Sequence, residues 1–155
     1  MKGKPFMITL SALVEDLKVS VYPENTKLSS LFVSNIAYNS KYAGDGILFV
    51  CLVGSAADGH DFAEDAYLRG SRMFVCERRL SLPQDAVQLI TPNTRRALAS
   101  LSAAYFEHPE RKLKIIGITG TKGKSTICEM LDHILTKNRI RTGAIGTVGV
   151  KINSV

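Results

Sequence analysis

The residues with the clearest chemistry are Gly117-Ile-Thr-Gly-Thr-Lys-Gly-Lys-Ser-Thr126, which stand between a β-branched run and an amphipathic one. Glycines at this spacing let successive backbone N–H groups turn inward around an anion, and a helix starting near Lys124 adds its positive N-terminal end. Lys124 supplies a point charge suited to the β- and γ-phosphates of a nucleotide. Ser125 supplies the hydroxyl that a hard ion such as Mg²⁺ accepts as a ligand beside phosphate oxygens. The strict pattern G-x-x-x-x-G-K-[ST] calls for glycine at position 118, where this chain has Ile118; its own spacing is T-G-T-K-G-K-S, with Gly120 three residues before Gly123. The plain alternative is a glycine-rich strand-to-helix turn that happens to hold a lysine. The strand and helix signals on either side favour the nucleotide reading.

Several elements must position this loop. A strand is expected at Leu113–Thr119, then a helix with Ile127, Met130, Leu131, Ile134 and Leu135 on one stripe, then another strand within Ala144–Val150. Earlier, Leu10, Leu13, Val14 and Leu17 follow Thr9 at helical spacing. Leu31–Tyr38 reads as a strand, and Gly44-Asp45-Gly46 as a turn into the unbroken apolar run Ile47–Val53, suited to a strand buried on both faces. Asp61–Arg69 reads as a helix stopped by Gly70. Further strands are expected at Arg72–Cys76 and Val87–Ile90. Pro92 and Asn93 open a helix carrying Ala97, Leu98, Leu101, Ala104 and Tyr105 on one face. The pattern is α/β, with a domain boundary near residue 90 and the start of a parallel-sheet domain after it.

With 155 residues, 45% of them hydrophobic and 22% charged, the chain can bury a core and is neither a disordered nor a disulfide-stapled sequence. Its longest apolar run is far short of the roughly 20 residues of a membrane-spanning helix. No long apolar stretch follows the charges of Met1-Lys-Gly-Lys-Pro5, so the expectation is a soluble, unexported, cytoplasmic protein. Cys51, Cys76 and Cys128 are odd in number, widely spaced and set in apolar sequence, as expected of buried, reduced thiols. The net charge of +6 resides entirely in residues 91–155. A basic field of that kind attracts polyanions, but no Phe, Tyr or Trp lies beyond position 110 to stack on a base, which argues against nucleic acid.

A second set of residues lies in the N-terminal half: Tyr38-Asn-Ser-Lys41, Gly46-Ile-Leu-Phe-Val50, Gly54-Ser-Ala-Ala-Asp-Gly-His-Asp-Phe62, Ala66 and Gly70. Singly, these have ordinary readings. Ser40 reads as a turn hydroxyl and Asp58 as a cap on a helix entry. Phe49, Phe62 and Tyr67 read as core residues, and His60 as an imidazole satisfied by a backbone carbonyl. Together with the glycine loop, however, they resemble the Mur ligase superfamily, which includes muramyl-peptide ligases, folylpolyglutamate synthetases and cyanophycin synthetases. The loop resembles the superfamily's T-G-T-x-G-K-[ST]. The earlier run is similar to the D-S-R, G-D-L-F-V-A and D-G-H-x-F series of the subfamily that adds the third residue of the peptidoglycan stem peptide. Asn39 and Lys41 replace the usual Asp and Arg around Ser40, and Lys122 stands where Asn is common.

The resemblance implies a small UDP-sugar-binding α/β domain over residues 1–90 and the opening of a P-loop ATPase domain over 91–155. It places Tyr38, Ser40, Ser55, Ala56 and Ala57 on UDP-N-acetylmuramoyl dipeptide. Gly120, Thr121, Lys122, Gly123, Lys124, Ser125 and Thr126 fall on ATP, with Lys124 catalytic and Ser125 on Mg²⁺. The implied reaction is ATP-dependent amide formation between a diamino acid, meso-diaminopimelate or L-lysine, and UDP-N-acetylmuramoyl-L-alanyl-D-glutamate. The partners are then small molecules, with neither nucleic acid nor membrane, and the chain is expected to be monomeric. The family's second metal-binding acid, carbamylated lysine and amino-acid-binding domain have no counterpart before Val155, so these residues alone are expected to be inactive. Two rivals are a folylpolyglutamate-type ligase and a non-catalytic UDP-sugar-binding module.

Overall fold

A computed structural model describes residues 7–147 and 149–152, and the chain divides into two units, one ending at Lys112 and one beginning at Leu113. The expectations at Met1–Pro5, Val148 and Val155 lie outside the described residues.

The first unit opens with a two-residue strand β1 (Ile8–Thr9) leading into helix α1 (Leu10–Leu13), where the Thr9 hydroxyl caps the amide of Ala12. Then come β2 (Ser20–Tyr22), β3 (Phe32–Val33) and β4 (Asn35–Ala37). The strand expected over Leu31–Tyr38 is thus two short ones. Ser34 sits between them, and its amide and hydroxyl both donate to the carbonyl of Gly46. Next follow β5 (Ile47–Val50), α2 (Ala63–Leu68), β6 (Met73–Cys76), β7 (Val87–Ile90) and α3 (Thr94–Tyr105), the last capped by the Asn93 side chain on the amide of Arg96.

Five strands form one sheet in the order β2-β7-β6-β5-β4, parallel throughout except for β2, which pairs antiparallel with β7. Side chains alternate across it as the pleat requires. Leu48, Val50, Met73, Val75, Val87 and Leu89 pack on one face with Leu10, Leu13, Ala97, Leu101 and Tyr105. Phe49, Cys51, Phe74 and Cys76 pack on the other with Ala63 and Ala66 of α2. Both faces are covered, which accounts for the unbroken apolar sequence over residues 47–51, whereas Val53 lies beyond β5 and is 46% exposed.

The boundary expected near residue 90 lies instead after Lys112, because α3 belongs to the first unit. Ala97, Leu101 and Tyr105 complete its core, and the Tyr105 hydroxyl donates to the carbonyl of Ser34. Of the expected core aromatics, Phe49 is fully buried and Tyr67 packs against the second cluster, whereas Phe62 is 46% exposed. Cys51 and Cys76 are buried, and Cys128 is only partly so.

The second unit holds α4 (Lys124–Lys137) and an antiparallel hairpin of β8 (Gly143–Gly146) and β9 (Gly149–Ile152). The strand expected at Leu113–Thr119 is not formed, and the single strand expected within Ala144–Val150 is instead shared between β8 and β9 of the antiparallel hairpin. A strand exists only where a neighbour completes its ladder, and among the described residues none pairs with 113–119. Leu113, Ile115 and Ile116 are accordingly exposed. Asp132 on α4 is buried, taking the Thr142 hydroxyl and, at 3.1 Å, the Lys151 ammonium of β9. No helix among the described residues is long and apolar enough to cross a membrane.

Candidate functional site

In an open parallel sheet, loops leaving the carboxyl ends of the strands converge on one edge, where ligands dock. Tyr38 follows β4, the 51–58 loop follows β5, Glu77 and Arg78 follow β6, and Thr91–Asn93 lead from β7 into α3. Tyr38, Ser40, Ser55, Ala56 and Ala57 therefore share an edge, on two neighbouring strands.

Their exposures differ. Tyr38, Ser55, Ala56 and Ala57 face solvent, whereas Ser40 is buried at the start of a 3-10 turn capped by Asn39. Ser40 lies near Asp65 of α2, whose carboxyl Arg69 first and then Ser40 hold below the ordinary carboxylate range. Asn39 serves that turn by accepting from the amide of Lys41 at 3.0 Å.

Ser55–Ala57 form the tip of a turn. Its base is closed by the Gly54 amide on the Ala57 carbonyl, by a bridge between Val53 and Asp58, and by the Gly59 amide on the Leu52 carbonyl. Gly59 approaches so closely that a Cβ there would fall 2.5 Å from the amide nitrogen and 2.7 Å from the carbonyl oxygen of Leu52. No larger residue fits.

Asp58 is the hub of this base. One carboxylate oxygen takes the backbone amide of His60 at 3.0 Å and the His60 ring Nδ1 at 2.5 Å, and the other takes Arg78 at 3.0 Å. The backbone amide first, then the ring and the Arg78 guanidinium hold the Asp58 carboxyl well below the usual carboxylate range. His60 is buried and its Nε2 accepts from the amide of Glu77 at 2.9 Å, so its partners are a carboxylate and an N–H rather than the carbonyl expected. Glu77 in turn caps α3 through the amide and hydroxyl of Thr94, and Arg95 donates to the Val53 carbonyl. Glu77, Arg78 and Arg95 carry no local sequence signal. Their common mark is position, just past a strand end or at a helix start on the same edge.

In the second unit, Gly120 through Thr126 are all exposed and lead directly into α4. Gly123 has φ of 76°, the left-handed conformation in which a side chain is strained, and no atom lies where its Cβ would sit. Glycine is required here by the backbone rather than by space. With no side chain to cap the helix, the first-turn amides of Lys124, Ser125 and Thr126 open to solvent, the arrangement that receives phosphate. Lys124 Nζ donates back to the Gly120 carbonyl at 2.5 Å. The group is therefore held over the loop it would serve. This geometry fits a nucleotide phosphate with Mg²⁺ on the Ser125 hydroxyl. Among the described residues no cluster of His, Cys, Asp and Glu forms a separate metal cage.

Cys51 and Cys76 offer no nucleophile at the edge of the first sheet. Burial pushes the Cys76 thiol up to about 11 and the Cys51 thiol higher still, so both stay protonated at neutral pH.

A five-stranded, mostly parallel sheet with loops gathered on its carboxyl edge, followed by a glycine loop at a helix start, defines a protein of the α/β class. Residues 32–106 match the family described as Mur ligase family, catalytic domain, and residues 118–155 match the Mur ligase middle domain. The chain belongs to the Mur ligase family. It is 40% identical over 122 residues to UDP-N-acetylmuramyl-tripeptide synthetase 2 of Oceanobacillus iheyensis, covering 78% of this chain and 25% of that protein. It is 38% identical over 144 residues to the UDP-N-acetylmuramoyl-L-alanyl-D-glutamate--2,6-diaminopimelate ligase of Clostridium botulinum, covering 91% and 29%. Among solved structures, MurF of Acinetobacter baumannii superposes with a TM-score of 0.68 at 28% identity, over 86% of this chain and 29% of that one. MurF of Thermotoga maritima in complex with ADP gives 0.51 at 26% identity, over 66% and 23%. The chain spans about a quarter of the length of the curated relatives it matches.

Proposed function

We propose that this chain carries the UDP-sugar-docking unit and the ATP loop of an ATP-dependent ligase of peptidoglycan precursor synthesis. The ligase joins a diamino acid to UDP-N-acetylmuramoyl-L-alanyl-D-glutamate. Diaminopimelate is the diamino acid in the name of the Clostridium relative. The γ-phosphoryl group of ATP passes to the D-glutamate side-chain carboxylate with release of ADP, and the amine then attacks the acyl phosphate, expelling phosphate and forming the amide.

The observation that carries this reading is the open first turn of α4 behind a left-handed Gly123, with Lys124 and Ser125 next in line. Phosphoryl transfer asks mainly for positioning and charge neutralisation. The first-turn amides hold the phosphate oxygens, the Lys124 ammonium exchanges the Gly120 carbonyl for them, and the Ser125 hydroxyl offers a ligand to Mg²⁺. When bound, Mg²⁺ neutralises charge on the phosphates. Gly120, Thr121, Lys122 and Thr126 complete the loop, with the Lys122 ammonium adding charge beside the phosphates. In the first unit, Tyr38 and the Ser55–Ala57 turn hold the uridine-diphosphate end, and Ser40 fixes the loop that presents Tyr38. The same reading makes the chain a cytoplasmic, monomeric protein with small-molecule partners and neither a membrane nor a nucleic-acid partner.

Calorimetric titration of the chain tests this with two ligands. UDP-N-acetylmuramoyl-L-alanyl-D-glutamate and Mg·ATP are both expected to bind. Lys124→Ala should weaken Mg·ATP at least tenfold and leave the UDP-sugar unchanged, and Tyr38→Ala should do the reverse. Clear Mg·ATP binding with no affinity for the UDP-sugar would move a folylpolyglutamate-type ligase to the front.

A further inference from the structure

Ser55, Ala56 and Ala57 are small and exposed, so the shape of their turn is set at its base rather than by their own packing. That base hangs on Asp58, and Asp58 hangs on His60. The His60 side chain has no exposed surface. The Glu77 N–H can only donate, so the ring Nε2 facing it at 2.9 Å is an unprotonated acceptor. The ring proton is then on Nδ1, aimed at the Asp58 carboxylate 2.5 Å away. The imidazole therefore bridges the loop after β5 to the segment after β6, and Glu77 carries the connection on to the start of α3 through Thr94.

We infer that His60 is a positioning residue for docking at the Ser55–Ala57 turn, holding Asp58 and the turn against the Glu77 segment as the neutral Nδ1–H tautomer. The inference deepens the proposed UDP-sugar docking and rests on it. Being buried, His60 touches no ligand; it acts through Asp58. A doubly protonated ring would set N–H against N–H at Glu77, so the neutral ring is the form that completes the bridge. A ring that merely fills space needs neither partner, yet here both nitrogens are used and both bonds run to segments on the docking edge.

The experiment combines calorimetry with amide hydrogen exchange on the wild-type chain, His60→Ala and His60→Asn, using UDP-N-acetylmuramoyl-L-alanyl-D-glutamate and Mg·ATP as probes. In His60→Ala the UDP-sugar Kd is expected to rise about tenfold or more, with the Mg·ATP Kd unchanged. Faster exchange should be confined to residues 52–59 while β5, β6 and β7 stay protected. His60→Asn keeps a donor toward Asp58 but is too short to accept from Glu77, so its Kd should lie between the two. Wild-type affinity for the UDP-sugar in folded His60→Ala would overturn the inference while leaving the docking reading intact. Should His60→Ala lose protection throughout the first unit, His60→Asn decides: local exchange with a raised Kd supports the role, and an unchanged Kd overturns it. A wild-type chain that binds no UDP-sugar removes the docking reading and this role with it.

Discussion

The two units solve a similar problem by different physical means. On the sheet edge of the first, the Ser55–Ala57 turn is shaped by side chains: Asp58, His60, Arg78 and Arg95 each bond across the base. In the second, the loop before α4 is shaped by backbone, through a left-handed Gly123 and a helix end that no side chain caps. The packing differs in the same sense. Both faces of the first sheet are buried under helices. Along α4, Ile127, Met130 and Ile134 are 48%, 60% and 56% exposed. A loop braced by side chains depends on the fold beneath it, whereas a nest of amides needs only a few dihedral angles and the start of one helix.

Two glycines allow the sharpest break of this comparison. Gly59→Ala forces a methyl group onto the Leu52 backbone, which cannot rotate away as a flexible side chain can. The expected loss is about 1–3 kcal/mol of first-unit stability, read as a lower urea midpoint for that unit. It should be accompanied by weaker UDP-sugar binding, because the base of the turn must shift. An unchanged midpoint would mean that the 51–60 loop is not rigidly coupled to the sheet. Gly123→Ala meets no atom and changes only the dihedral preference, at about 1 kcal/mol. Here the readout is Mg·ATP affinity, expected to fall severalfold with the first unit's urea midpoint untouched. Equal effects of both substitutions on that midpoint would erase the distinction between the two kinds of loop.

How much of this was legible in the sequence follows from what each feature depends on. The unbroken apolar run starting at Ile47 and the Asn93 helix start are local patterns, and the structure makes Ile47–Val50 a strand packed on both faces and Asn93 the cap of α3. The backbone of the glycine loop was legible for the same reason, since the left-handed Gly123 and the helix start at Lys124 sit in consecutive residues. The three-residue edge strand Ser20–Tyr22 was not, because nothing in so short a run separates it from a loop until β7 pairs with it. Leu113–Thr119 misled in the opposite direction: β-branched residues signal strand propensity, but propensity without a ladder leaves the segment unpaired. The domain boundary moved for a similar reason. Pro92 and Asn93 mark a helix start, and only the burial of Ala97, Leu101 and Tyr105 shows which unit that helix serves. Within the site, the bonds from Glu77 to Thr94 and from His60 to Glu77 each span 17 residues, beyond any local pattern.

The smallest expected change sharpens the comparison through acid. The Asp58 carboxyl is held low by the His60 amide first, then by the His60 ring and Arg78, so its folded-state pKa lies below the ordinary value of 3.8. A depressed carboxylate contributes stability above its unfolded pKa and loses it as pH falls through the folded one. Wild type should therefore be more stable than Asp58→Asn at pH 7, and the gap should hold down to about pH 4 and then close as acid protonates the native carboxyl. Asparagine keeps an oxygen for the His60 amide, which confines the difference to charge: the carboxylate's hold on the ring and on Arg78. Urea midpoints of the first unit at pH 7, 5 and 3 read the gap directly. A gap of equal size at pH 7 and pH 3 would show that Asp58 braces the turn by shape alone. The side-chain-built edge would then resemble the backbone-built loop more closely than its bonds suggest.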